Sequence, residues 1–176
     1  MAAPSSEGLL RAAEIQLGPA EEPPSEEAIR RAVSTAYYSL FAALCDEIAR
    51  PWQGRARIAA RRLLRHQAAR DVCRQLVDRR YVAWLQDNPK CHADLLGFAE
   101  HFVGLIRARE AADYSDDFSA DGWAAQEAIQ AARAGVEHLN RARLAVPEQV
   151  SVTCVAMIAG PAERRRMAEW EAARLF

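Results

Sequence analysis

No apolar run in this sequence approaches the roughly 20 residues a helix needs to cross a bilayer. The N-terminal stretch has Glu7 and Glu14 where a secretory leader would be basic. A cytoplasmic protein without a membrane span is the expectation. Cysteine is scarce: Cys45, Cys73, Cys91 and Cys154 are the four present, and none form a Cys-x-x-Cys pair. In a reducing compartment these thiols are expected to be reduced and buried rather than bridged. There is no glycine-rich phosphate loop, since Gly135 and Gly160 stand alone, and no spacing suggests a Ser/His/Asp triad. Cys91, His92, Glu100 and His101 lie close in sequence but lack the His-Glu-x-x-His spacing that puts two imidazoles on one helix face, so they do not read as a metal site. No metal and no cofactor is expected. Internal repeats are absent, and low complexity is confined to the Glu/Pro segment at 19–27.

What remains is a helical chain. Its 176 residues are 51% hydrophobic and 27% charged, rich in alanine and arginine, both strong helix formers, and long enough for one domain with its own core. Ser5 or Ser6 can cap a first helix running to about Leu17, which Gly18-Pro19 and Pro23-Pro24 end. Ser25 caps a second, about 25–50. Here Ile29, Val33, Tyr37, Leu40, Leu44 and Ile48 form one stripe at helical spacing, and Ser34, Tyr38, Phe41 and Cys45 form another beside it. A helix apolar around so much of its girth needs neighbours on more than one side. That leaves Arg31, Thr35, Ser39, Ala42 and Asp46 as the expected solvent face.

Pro51 and Gly54 end this helix, and 55–77 reads as one helix or as two with a break near His66. A less regular stretch from Asp78 to Asn88 leads to a helix at about 91–113, whose apolar set is Leu95, Phe98, Phe102, Leu105 and Ile106. Another, about 120–144, follows a cap at Ser119 and carries Trp123, Ile129, Val136 and Leu139. The β-branched run Val150 to Ile158 has strand propensity but no partner strand, so a short buried helix is expected, with a second from Pro161 onward. The whole is expected to be an all-α antiparallel bundle of about five to seven helices in a single domain, with 1–4 outside the fold and 147–176 a C-terminal helical extension.

A net charge of −1 hides strong segregation. Nine arginines (Arg55, Arg57, Arg61, Arg62, Arg65, Arg70, Arg74, Arg79 and Arg80) face two acids between 55 and 80, while six glutamates face Arg11 between 1 and 28. The basic stretch is either a solvated helix face or a surface for a polyanion.

Two distant segments carry a resemblance: Ala36-Tyr37-Tyr38-Ser39-Leu40-Phe41 in the long helix, and Arg109-Glu110-Ala111-Ala112-Asp113-Tyr114 closing another. In this order, with a further amphipathic helix after them, they resemble the HEPN domain (higher eukaryotes and prokaryotes nucleotide-binding) over roughly residues 6–140. The resemblance implies a small helical homodimer acting on RNA, as a metal-independent ribonuclease of toxin–antitoxin or defence type or as an inactive module that binds RNA, a nucleotide or a nucleotidyltransferase partner.

Arg61-Arg62-Leu63-Leu64-Arg65-His66 matches the Arg-x(4–6)-His pattern of the nuclease members. RNA cleavage without metal needs a group that exchanges a proton near neutral pH, which histidine supplies, and a fixed cation on the phosphorane, which arginine supplies. His66 with Arg61 or Arg62 is the catalytic candidate, and Arg57, Arg65 and Arg70 are candidates for holding RNA phosphates. On a continuous helix Arg62, four before His66, shares its face and Arg61 does not. Ala68 departs from the family, where many nuclease members carry a tyrosine that the cognate nucleotidyltransferase antitoxin adenylylates. Tyr38, Arg109, Asp113 and Tyr114 read as packing and helix-end groups that can also border an interprotomer cleft.

Overall fold

The computed structural model describes residues 5–18, 22–78, 92–118 and 121–159. Over these it is all helical, without strands: α1 Ser6–Gln16, α2 Glu26–Ala49, α3 Gly54–Arg61, α4 His66–Val77, α5 Ala93–Tyr114, α6 Gly122–Ala145 and α7 Pro147–Ile158. The expectations for 1–4, for the irregular stretch beyond Asp78, for a cap at Ser119 and for a helix from Pro161 fall outside the described residues. Two compact units emerge, Met1–Ala43 with His101–Glu137, and Leu44–Glu100 with His138–Phe176. Helices α2, α5 and α6 contribute residues to both.

In the first unit the helix starts are written in short polar side chains. Ser5 Oγ accepts from the Gly8 N–H at 3.1 Å, Ser25 Oγ from the Ala28 N–H at 3.2 Å, and Asp121 Oδ1 from the Ala124 N–H at 2.8 Å. Each satisfies one of the four N–H groups that a helix start leaves unpaired. The core follows the expected stripe, with Ile29, Val33, Tyr37 and Leu40 of α2 buried together with Phe102, Leu105 and Ile106 of α5. The Tyr37 ring lies 5.7 Å from that of Phe102 and 6.2 Å from that of Phe41, in the range where offset aromatic pairs attract.

Two expectations are corrected here. Ser39 and Ala42, assigned to the solvent face of α2, are buried; Ser39 is fully enclosed, its hydroxyl donating to the Ala36 carbonyl at 2.7 Å. That local bond lets a hydroxyl enter a core without an unmet partner. The exposed line of α2 instead runs through Glu27, Arg31 and Tyr38. Trp123, placed in the apolar set of α6, is 73% exposed, because it sits in the first turn and lines an open groove of about 580 Å³ with Pro23, Pro24 and Leu17.

The second unit holds α3, α4 and α7 with the ends of α2, α5 and α6. Val72, Cys73 and Leu76 of α4 and Val150, Cys154 and Met157 of α7 are buried, and the two helices pack together. Strand propensity in α7 loses to a helical start: Pro147 takes a first-turn position where its missing N–H costs nothing. The Arg-rich stretch breaks, with α3 ending at Arg61 and α4 opening at His66. Helix α3 is barely packed, Ala60 being its one buried residue, while Trp52, Ile58 and Leu63 on and beside it are each more than half exposed.

Close packing in the first unit depends on Gly135, whose Cα faces the Leu40 side chain and His101; a Cβ built there would stand 2.8 Å from a Leu40 methyl and 3.3 Å from the His101 Cβ. Gly135→Ala should therefore lose about 1–3 kcal/mol to overpacking, against about 1 kcal/mol gained in helix propensity. A lower urea midpoint with unchanged slope is expected, and a midpoint at or above that of the wild type would show the core can yield.

Candidate functional site

His66, Arg61 and Arg62 belong to the second unit, and Tyr38, Arg109, Asp113 and Tyr114 to the first. Around His66 the decisive local feature is the break. Arg62 is the C-cap of α3, its N–H donating to the Ala59 carbonyl while the Leu63 N–H donates to that of Ala60, and Arg65 is the N-cap of α4 in extended conformation. His66 is thus the first residue of α4, and Arg62, Arg65 and His66 are all exposed. The argument from a shared face of one continuous helix does not apply across this break. No acid occupies the first turn of α4 and the Arg65 side chain does not cap it, so its positive end is flanked by guanidinium groups. Such an end favours an anion.

The arginines divide. Arg61 Nη1 lies 3.1 Å and Arg57 Nη2 3.9 Å from Asp46 Oδ1 on α2, so both are turned toward one carboxylate. Arg62 and Arg65 point outward, and Arg70 is half-buried on α4. Of the two, Arg62 is the exposed one and Arg61 the one turned to Asp46.

The first-unit group is drawn together as an arginine between two rings. The Arg109 guanidinium carbon lies 5.8 Å from the Tyr38 ring centre and 5.7 Å from that of Tyr114, and its Nε forms an ion pair with Asp113 at 2.6 Å. Asp113 in turn accepts from the Ser34 hydroxyl, tying α5 to α2. Arg30, which sequence reasoning passed over, donates to the Ala112 and Ser115 carbonyls at 2.6 and 3.1 Å and covers the Phe118 ring at 5.0 Å. It thereby satisfies carbonyls that the end of α5 would leave open. The arrangement orders a helix terminus and holds an aromatic-flanked cation at the surface.

A second constellation gave no signal in the sequence. Asp94, in the first turn of α5, accepts at Oδ1 from Arg141 Nε at 2.8 Å, and His138 Nδ1 lies 2.8 Å from the same oxygen. Nδ1 also lies 2.9 Å from Arg141 Nη2, which can only donate, so the imidazole tautomer decides which of these two neighbours it bonds. Asp94 N–H also donates to His92 Nδ1 at 3.3 Å, and His92 N–H to the buried Gln149 of α7 at 3.2 Å. The His138 ring lies flat on Gly97, where any Cβ would stand 2.7–2.8 Å from it. His138 and Arg141, three apart, do share one helix face, but their carboxylate lies 44 residues before the histidine. Hydrogen bonds from Arg141 and then His138 hold the Asp94 carboxyl below its ordinary range.

No group of three or more His, Cys, Asp or Glu side chains among the described residues is arranged to hold a metal. The buried thiols are poor nucleophiles. Burial pushes Cys45 up to about 11, against a lowering by Arg61, and Cys154 up to about 12; Cys73 is also raised by burial. No helix among the described residues is long and apolar enough to cross a membrane. No protein-family model, curated protein or solved structure matches the chain. Function therefore has to be argued from side chains.

The Asp94 carboxyl titrates lower in the folded chain than in the unfolded one, so its stabilising contribution is present above the ordinary carboxylate range and fades as pH falls through its folded value. The melting-temperature gap between wild type and Asp94→Asn should accordingly shrink as pH drops from about 5 toward 2. A gap that stays constant in calorimetry over that range would show that Asp94 carries no charge-dependent contribution.

Proposed function

We propose that this protein is a HEPN-like, metal-independent endoribonuclease of toxin–antitoxin or defence type that acts as a homodimer. The observation that carries this reading is the helix break, which sets His66 at the exposed start of α4 with Arg62 and Arg65 beside it. The order of the Tyr37-Tyr38 and Asp113-Tyr114 segments supports it. In this mechanism a neutral His66 takes the proton from the RNA 2′-hydroxyl, and the 2′-oxygen attacks phosphorus. The bond to the 5′-oxygen breaks, leaving a 2′,3′-cyclic phosphate. One imidazole cannot be base and acid in the same step, so a protonated His66 from a second copy delivers the proton to the leaving oxygen. Arg62 holds the phosphorane charge by its guanidinium fork. Nucleophile and leaving group both belong to the RNA, so the buried thiols have no part.

A second reading is an inactive module that binds RNA, a nucleotide or a nucleotidyltransferase partner. The turning of Arg61 and Arg57 toward Asp46 favours it, because guanidinium groups already paired offer less charge to a phosphate.

Purified protein should cleave single-stranded RNA in EDTA, and His66→Ala should slow it by about 10² to 10⁴. Arg62→Ala should cost more than Arg61→Ala, on the order of 10² or above. RNA that stays intact with wild type, or is cut equally fast by His66→Ala, would overturn the nuclease and leave the binding module.

RNA association should weaken as salt rises, each phosphate contact adding about 0.7 to the slope of the logarithmic plot for a single strand. Replacing Arg57, Arg65 and Arg70 by glutamine should flatten that slope, and an unaltered slope would mean that the basic stretch is only a solvated face.

A further inference from the structure

Helix α3 and its flanks are hard to explain as a packed element. An eight-residue helix has little stability of its own and must be held by what it buries. This one buries Ala60 alone, with Leu64 anchoring the chain just after it, and every residue from 51 to 59 is exposed. At about 100° per residue, Ile58 and Arg55 project about 160° and 140° from Ala60, on the outermost edge. Ile58 is 56% exposed at that edge, Trp52 lies just before the helix and Leu63 just after it, both also more than half exposed. Between 48 and 70 the chain carries seven arginines and no acid. Asp46 draws two of them, Arg57 and Arg61, to its own side, leaving Arg55, Arg62 and Arg65 outward with the apolar side chains.

We propose that Trp52, Ile58 and Leu63, framed by Arg55, Arg62 and Arg65, form a docking surface for an anionic lipid bilayer. The charge selects the class of partner, since guanidinium groups with no acid among them fit a negative surface. The aliphatic side chains select within that class. An indole can stack on a nucleobase, but Ile58 and Leu63 gain little from nucleic acid and much from the boundary between headgroups and acyl chains. Tryptophan at the edge and arginines beside it match the distribution of side chains at a membrane–water interface. The contact is peripheral, since the segment is too short to span.

The test is co-sedimentation of the full chain with phosphatidylcholine vesicles and with vesicles mixing phosphatidylcholine and phosphatidylglycerol in equal parts. The protein should sediment only with the anionic vesicles. Its tryptophan emission should shift to the blue, and Trp52→Phe should remove that shift. Arg55→Gln should lower partitioning about fivefold, and Ile58→Ser about tenfold. Ile58 and Leu63 are surface residues, so circular dichroism should be unchanged in Ile58→Ser/Leu63→Ser, which should lose vesicle binding yet keep its association with single-stranded RNA. Three results would overturn the proposal: no sedimentation with anionic vesicles, equal sedimentation with neutral ones, or binding that the double variant retains. Loss of RNA association in the double variant would assign the surface to nucleic acid, and a fall in its light-scattering mass would assign it to a second copy.

Discussion

Tyr37 is sealed from water on every side, and much of the first unit follows from keeping it so. Its ring needs Phe102 of α5 against it, which fixes how α5 lies on α2. Ala32 and Ala36 are fully buried on the same helix, so neighbours pack almost onto its backbone. Gly135 extends this to α6 by letting Leu40 approach where no side chain could fit. Burying a tyrosine and its aromatic neighbours removes on the order of 150–250 Å² of each from water, the largest single contributions a core of this size receives.

Three carboxylates set orientation where apolar packing alone would let elements slide. Asp46 joins α2 to α3, Asp94 joins α5 to α6, and Asp113 joins α5 to α2. All three are partly exposed, a setting in which ion pairs add little stability. Their effect is geometric. Each fixes which way an arginine or histidine points: Arg57 and Arg61 at Asp46, His138 and Arg141 at Asp94, and Arg109 at Asp113.

The first apolar stripe of α2 and that of α5 were legible because both repeat the helical period over many turns, and the residues assigned to the core of α5 are buried as read, whereas in the second stripe of α2 Tyr38 is exposed and Ser34 and Phe41 are half-buried. Ser39 and Ala42 were not legible as core, since a small or hydroxylated side chain on a crowded helix gives no sign of which side a neighbour will take. Trp123 misled for the opposite reason: hydrophobicity predicts burial only where the chain beyond it comes back to cover it. The break before His66 stayed open because arginine and leucine favour helix through residues 62–65. Of the candidate site residues, Tyr38, Arg109, Asp113 and Tyr114 lie together, Arg109 and Asp113 being four apart on α5. The Asp94, His138 and Arg141 cluster could not be found from spacing, because its halves sit on different helices.

Helix α3 has one further consequence, for motion. With a single buried residue and two ion pairs to Asp46, it should open at a free energy well below that of global unfolding, and its amide hydrogens should exchange with solvent while those of α2 remain protected. Opening releases Arg57 and Arg61 from Asp46 together. A negatively charged surface or strand that captured the released guanidinium groups would draw the chain toward the opened state, so part of the positive charge of this stretch is held in reserve by a local fold.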